Sequence, residues 1–145
     1  MASEQGFKEL VESIISRHPD AYLAERWEEA TSFDPNPTPL AFWTRESVDL
    51  INIVWLTDHD IRDITWLPAR GLSTFHVFRL PMIISIEIRR ARGAANSLGF
   101  PVVGDFVTLV HSASQRGGLV WAATDDDESV SRLRGFVGRV IEKMG

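Results

Sequence analysis

The sequence predicts an α+β protein: a six- to seven-stranded antiparallel curved sheet or small barrel, with two N-terminal helices and a C-terminal capping helix. Three observations support this fold class. Apolar residues recur at helical spacing near both ends of the chain. Between them, short apolar runs are separated by turn-forming residues. From Phe78 to Ile88, apolar and mostly polar positions alternate, which is typical of a strand with one buried face.

The composition bounds the class of protein. With 145 residues, 44% of them hydrophobic and 24% charged, the chain fits one globular domain, residues 1–145. It contains no cysteine, which excludes disulfides, cysteine-bound zinc and thiol catalysis. The net charge of -5 argues against nucleic acid as a partner. The sequence shows neither a signal peptide nor a transmembrane segment, and we expect a cytoplasmic protein.

Two helices are predicted at the N-terminus, within residues 1–33. The apolar side of the first helix is formed by Phe7, Leu10, Val11, Ile14 and Ile15. His18-Pro19 ends this helix, because the residue before a proline is disfavoured in helical geometry. We expect Pro19 to be the first residue of the second helix. Its apolar side is formed by Tyr22, Leu23, Trp27 and Ala30.

A proline-rich connector, residues 34–39, joins these helices to the predicted sheet. Val48–Leu56 is almost continuously apolar, with Asp49 near its start and one asparagine within it, which predicts a strand covered on both faces. Thr57–Asp60 has turn composition and Ile61–Leu67 is the next predicted strand. Pro68–Gly71 forms a second predicted turn.

The stretch Thr74–Arg92 is expected to form one or two strands. Its even positions are predicted to face the core: Phe78, Leu80, Met82, Ile84, Ile86 and Ile88. Pro81 cannot donate to a strand ladder, and the alternation changes parity before Phe78. These two features predict a break or bulge around Leu80–Met82.

The remaining chain predicts a loop, a hairpin and a helix. Gly93–Gly104 has loop composition, with a short helical turn left open. Phe106–His111 and Leu119–Thr124 form the predicted hairpin. One apolar stripe predicts the final helix: Val130, Leu133, Phe136, Val137, Val140, Ile141 and Met144.

From Leu40 to Gly145, this order of elements resembles the pleckstrin-homology-like (PH-like) superfamily, including its GRAM-type members. The resemblance is one of topology. It implies two nearly orthogonal sheets that form a barrel, with the C-terminal helix closing one end. Many members carry a tryptophan in that helix, where this chain has Phe136. The two N-terminal helices lie outside the superfamily's basic pattern.

Two other topologies remain open. A nuclear-transport-factor-like cone also begins with helices, but it usually ends on strands. A secretion-chaperone-like dimer begins and ends with helices, and it requires helical structure hidden within Gly93–Gly104.

Two sets of residues are candidates for ligand binding. Arg89, Arg90 and Arg92 are suited to a phosphorylated headgroup or an acidic partner, although we favour the interpretation that they form the solvent face of a strand end. Trp66 and Trp121 are candidates for lining a cavity, with His76 or His111 as its polar group. Tryptophans in a sheet also serve as ordinary core residues.

Thr57–Asp63 is the densest group of potential metal ligands, with Asp58, His59, Asp60 and Asp63. We interpret it as a solvated turn. We predict no catalytic residues, metal site or cofactor, because no recognised motif for them occurs.

These observations favour a non-catalytic module that binds a protein partner or a ligand. Self-association through an exposed strand edge is included in this hypothesis. The alternative is a small-molecule-binding barrel, or a weak enzyme, with an aromatic-lined cavity.

Overall fold

The computed structural model describes residues 3–95, 101–113, 118–123 and 127–145. It is an α+β structure in which three helices accompany two antiparallel sheets, one of four and one of three strands. In these described ranges the strands do not close into a barrel. The chain divides into two compact units, Met1–Val77 and Phe78–Gly145.

The first unit contains two helices and a meander of strands. The helices are α1 (Ser3–Arg17) and α2 (Ala21–Phe33). The strands pair in chain order: β1 (Ala41–Glu46), β2 (Ile51–Leu56), β3 (Asp60–Leu67) and β4 (Leu72–Arg79). A short 3-10 helix, Pro68–Arg70, lies between β3 and β4 and ends at Gly71, whose φ is 61°. The two predicted turns flanking β3 are therefore confirmed.

The start of α2 differs from the prediction, which made Pro19 its first residue. The helix begins at Ala21, and Asp20 is its N-cap. The Asp20 backbone is extended, and its side chain accepts a hydrogen bond from the Tyr22 N–H at 2.8 Å. Aspartate is favoured at this position because its carboxylate satisfies an N–H group that has no partner within the helix.

The core of the first unit lies between the two helices and one face of the sheet. The register places Ile51 opposite Trp66 and Ile53 opposite Ile64, so these alternate positions share a face. Phe7 of α1 reaches this face, and its ring centroid lies 5.3 Å from that of Trp55. The other buried members are Val11, Ile14, Leu23, Trp27 and Ala30.

The strand β1 was not assigned from the sequence, and β2 is shorter than the predicted Val48–Leu56. Ser47 closes the turn that separates these strands. Its backbone N–H donates to the Leu50 carbonyl at 3.0 Å, and its hydroxyl accepts the Leu50 N–H at 3.2 Å. This turn places Val48 outside the strand, which begins at Ile51.

The second unit contains a three-stranded sheet and the last helix. Its strands are β5 (Ile83–Ala95), β6 (Pro101–Ser112) and β7 (Gly118–Ala123), paired in that order. The helix α3 (Asp127–Met144) contacts β6 and β7. Phe136 meets Trp121 edge to face at 5.5 Å, and the Arg134 guanidinium lies 5.2 Å from the centre of the Phe106 ring.

The predicted break around Leu80–Met82 is confirmed, since these residues form a 3-10 helix between β4 and β5. The predicted loop at Gly93–Gly104 is wrong at both ends, because β5 extends to Ala95 and β6 begins at Pro101. Residues 96–100 lie outside the described residues. A helix required by the secretion-chaperone-like topology is therefore not found in the described part of this segment.

The prediction that the even positions from Phe78 to Ile88 face the core is confirmed for Leu80, which is buried, and is wrong for Met82, Ile84 and Ile88. Ile84 and Ile88 are 68% and 48% exposed, and Met82 is exposed as well, whereas Ile83 is buried. The 3-10 helix and an irregularity in register between Ile83 and Ser85 change the parity at the start of the strand. The position of β5 at the sheet edge is consistent with the exposure of Ile84 and Ile88, while Ile86 is partly buried.

Candidate functional site

Of the predicted cavity residues, Trp66 and His76 belong to the first unit. Trp66 is buried in the core, and its ring lies 6.1 Å from that of His18. His76 is half-buried on β4. Trp66 therefore acts as a packing residue between α1 and the sheet.

Trp121 and His111 belong to the second unit. Trp121 is fully buried against Phe136, and the other four tryptophans lie in Met1–Val77. His111 is half-exposed, and its Nε2 lies 3.2 Å from Oε1 of Glu87 on the neighbouring strand. Trp121 is thus a core residue and His111 a surface residue.

The three predicted basic residues, Arg89, Arg90 and Arg92, follow one another within β5. Their side chains lie outside what the structure describes. The hypothesis of a phosphorylated headgroup at these residues stays a prediction.

The interpretation of Thr57–Asp63 as a solvated turn is wrong for two of its acids, because Asp60 and Asp63 are buried. Asp60 accepts hydrogen bonds from the Thr57 hydroxyl at 2.7 Å and from Arg62 Nε at 3.0 Å. The Thr57 hydroxyl in turn accepts the Asp60 N–H at 3.1 Å. Asp60 therefore closes the β2–β3 turn. Among the described residues, no three His, Asp or Glu side chains are grouped to hold a metal ion.

A buried polar chain crosses β2 and β3 on the face opposite the helices. Asn52 Nδ2 donates to Thr65 Oγ1 at 2.9 Å, and Thr65 Oγ1 donates to Asp63 Oδ1 at 2.7 Å. Arg45 of β1 is directly opposite Asn52, and burial lowers the pKa of its guanidinium, an effect that the Asp49 carboxylate partly offsets. Asn52, the lone asparagine in the apolar run, was the one sequence signal for the buried polar chain.

The buried polar chain is suited to positioning strands. Both donors in it point toward Asp63, and all three residues are at least nine-tenths buried. Asn52 Oδ1 is a buried acceptor with no hydrogen-bond partner in the described part of the chain. A solvent-accessible reaction centre would need an exposed polar group, which these three residues do not provide.

The most accessible candidate for binding is the outer side of β5, which we call the β5 edge and define by Ile84, Ile86 and Ile88. In the described residues, β5 pairs with β6 alone. The register places Ile88, Thr108 and Trp121 in one row across the sheet. Thr108 and Trp121 are fully buried, whereas Ile88 is half-exposed. The apolar face that α3 contacts on β6 and β7 therefore continues onto β5, where Ile88 is half-exposed.

Backbone groups add to the binding capacity of the β5 edge. A strand with a neighbour on one side presents unpaired N–H and C=O groups on the other, and these form a template for an additional strand. Between Ser85 and Arg89 the pairing with β6 runs without interruption, so this part of the template is regular. The alternation from Phe78 to Ile88 predicted that these isoleucines share a face, but that face was expected to lie in the core.

Comparison with protein-family models, curated proteins and solved structures gives no match. None of the helices among the described residues has the length and apolar character needed to cross a membrane. The cytoplasmic location stays a prediction.

Proposed function

We propose that this chain is a non-catalytic interaction module of PH-like type, which binds an extended segment of a partner along the β5 edge. The order of elements supports the PH-like assignment: four strands in one sheet, three in a second, and then a helix. A curved sheet of six to seven strands is part of the proposal, whereas the described strands form two sheets that do not close into a barrel.

The exposed apolar row on β5 is the observation that carries this function. Ile84 and Ile88 are large exposed apolar side chains on a strand that pairs with β6 alone in the described residues. Natural edge strands are usually protected by charge, proline or a covering segment. A partner strand would satisfy the backbone groups, and its side chains would cover the isoleucines.

The alternative of a small-molecule-binding barrel or weak enzyme gains no support from its candidate residues. Trp66 and Trp121 are each packed into the core of their own unit. His111 is on the surface beside Glu87. These positions do not supply an accessible aromatic pocket with a convergent polar group.

Selection from a library of random peptides displayed on phage tests the proposed function. We expect the wild-type chain to select extended peptides, and the Ile84→Lys/Ile88→Lys variant to lose them. Lysines on an edge strand oppose pairing because of their charge and hydration. The matched control is Val48→Lys, since Val48 is 85% exposed in the turn before β2.

The control variant should bind the selected peptides as the wild type does. Circular dichroism establishes that all three proteins are folded. The proposal fails if the wild-type chain, presented to the library at a concentration at which it is monomeric, selects no peptide, or if the double variant binds the selected peptides undiminished.

A further inference from the structure

We infer that the partner of the β5 edge is a second copy of this chain, paired antiparallel through β5 about a two-fold axis at Ile86. This inference rests on the proposed function, because it requires the β5 edge to accept a strand. It adds the identity of the partner and the register of pairing.

The length of regular strand limits how two copies can pair. The β5–β6 register shifts between Ile83 and Ser85 and again between Arg89 and Ala91. Each irregularity bends and twists the strand locally, so the regular stretch of β5 between these two shifts is Ser85–Arg89. Pairing of two copies is therefore centred within or close to Ser85–Arg89.

Self-complementarity selects one register in this window. In a two-fold antiparallel pair centred on Ile86, Ile86 faces its own copy and Ile84 faces Ile88 of the second copy, twice. Ser85 then faces Glu87 of the second copy, so a hydroxyl donor meets a carboxylate acceptor. All three isoleucines of the β5 edge have apolar partners in this arrangement.

Two neighbouring registers also keep directly opposite side chains on the same face of the sheet, but they are less favourable. Centring on Glu87 places two carboxylates directly opposite each other, which is destabilising. Centring on Ile88 pairs Ile86 with position 90 and Ile84 with position 92, both of which are arginines. If the pairing of the two strands shifts by an odd number of residues, apolar positions lie opposite polar ones, because side chains alternate along each strand.

The apolar face of the sheet also matches a second copy. Ile88 lies in one row with buried Thr108 and Trp121, and α3 contacts β6 and β7, the strands that carry these two buried residues. A second β5 would extend the sheet and place its own isoleucines beside those of the first. Both copies lose the same exposed apolar surface, as a two-fold interface requires.

Sedimentation of charge variants tests the association. We expect the wild type to sediment as a concentration-dependent dimer, and Ile84→Lys/Ile88→Lys as a monomer, because lysines would face lysines. The matched variant Ile84→Lys/Ile88→Glu places a lysine opposite a glutamate twice in this register. It should recover dimer that the two-lysine variant has lost.

Single cysteines test the register, because the chain contains none of its own. Directly opposite residues in antiparallel strands have Cα atoms roughly 4.5–5.5 Å apart, within the roughly 4.4–6.8 Å that a disulfide spans. Ile86→Cys should therefore form a disulfide dimer under mild oxidation. Ile84→Cys is the control, because its two copies would be separated by four residues along the strand, about 14 Å.

The outcomes separate this inference from the proposed function. Disulfide formation by Glu87→Cys or Ile88→Cys in place of Ile86→Cys overturns the Ile86 register. A wild type that stays monomeric at high concentration, with no disulfide dimer from any variant, overturns self-association. If peptide selection nevertheless succeeds, the β5 edge binds another chain and the proposed function stands.

Discussion

Arg17 and Glu46 form a two-pronged ion pair that joins the end of α1 to the end of β1. Arg17 Nε donates to Glu46 Oε2 at 2.9 Å, and Arg17 Nη2 donates to Oε1 at 2.7 Å. His18 Nε2 lies 2.6 Å from the same Oε2, and Arg17 Nη1 donates to the Ser13 hydroxyl at 2.8 Å. The Arg17 hydrogen bonds, with a smaller contribution from His18, hold the pKa of Glu46 below its ordinary value.

This pair predicts an acid-dependent loss of stability. The pKa of Glu46 is lower in the folded than in the unfolded chain, so its stabilising contribution is present above its unfolded pKa. The contribution is lost as the pH falls from the ordinary value of 4.5 through the lower folded value. We expect Glu46→Gln to reduce the free energy of unfolding near neutral pH. In acid, the free energies of unfolding of the variant and the wild type should become more similar.

Urea unfolding at a series of pH values measures this difference. Glu12→Gln is the control, because it removes the same charge from an exposed position on α1. Identical pH profiles for the Glu46 and Glu12 variants would show that the ion pair has no energetic effect.

The buried polar chain predicts coupling between Asn52 and Thr65. Thr65→Val removes the acceptor for Asn52 Nδ2 and one donor to Asp63. We expect it to cost about 1–3 kcal/mol, since a buried polar group then loses its partner. Asn52→Leu/Thr65→Val should cost less than the sum of the two single changes. Denaturant unfolding of all four proteins measures the coupling, and additivity to within about 0.5 kcal/mol would contradict it.

Phe136 is expected to be the principal attachment of α3 to its sheet. It is buried against Trp121, so Phe136→Ala leaves a cavity beside that indole. A loss of about 3–5 kcal/mol in the free energy of unfolding is expected. Phe33→Ala makes the same change at a side chain that is 76% exposed, and should alter stability by less than about 0.5 kcal/mol. Similar losses for both variants would mean that burial does not govern the effect.

Replacement of Gly71 and of Gly138 by alanine should change the stability of the protein in opposite directions. Gly71 has a φ of 61°, and an added Cβ would meet only Tyr22 at 3.9 Å, so the cost is one of backbone conformation. We expect Gly71→Ala to destabilise by about 1–2 kcal/mol, and Gly71→Asn by less. Gly138 lies within α3 with nothing within 4 Å of an added Cβ, and Gly138→Ala should stabilise by about 0.5–1 kcal/mol. Thermal unfolding compares them, and a shift of the same sign at both sites would contradict this assignment.

Much of the fold was predictable because local patterns determine it. The apolar spacing of α1 and α3 and the break at Leu80–Met82 follow from side-chain periodicity and proline geometry. The start of α2 was harder to predict, because Pro19 and Asp20 are adjacent. Both residues favour helix starts, and the hydrogen bond to Tyr22 identifies Asp20 as the cap.

The candidate site was harder to predict because it depends on which element covers which strand. Alternation in β5 predicts that Ile84, Ile86 and Ile88 share a face. It does not reveal that β5 is an edge strand. Asp63 presents the converse case: its charge suggests solvent, but Thr65 donates a hydrogen bond to it within a buried row. Both outcomes depend on which parts of the folded chain cover these residues, and local alternation does not determine that.

The distribution of indoles has a practical consequence. Four tryptophans lie in Met1–Val77, while Trp121 alone lies in Phe78–Gly145. In a Trp121→Phe protein, all indole fluorescence arises from the first unit, whereas far-ultraviolet ellipticity records α3 as well. Superimposable transitions from these two signals would indicate that the halves of the chain lose their structure together, and separate transitions would give each half its own midpoint.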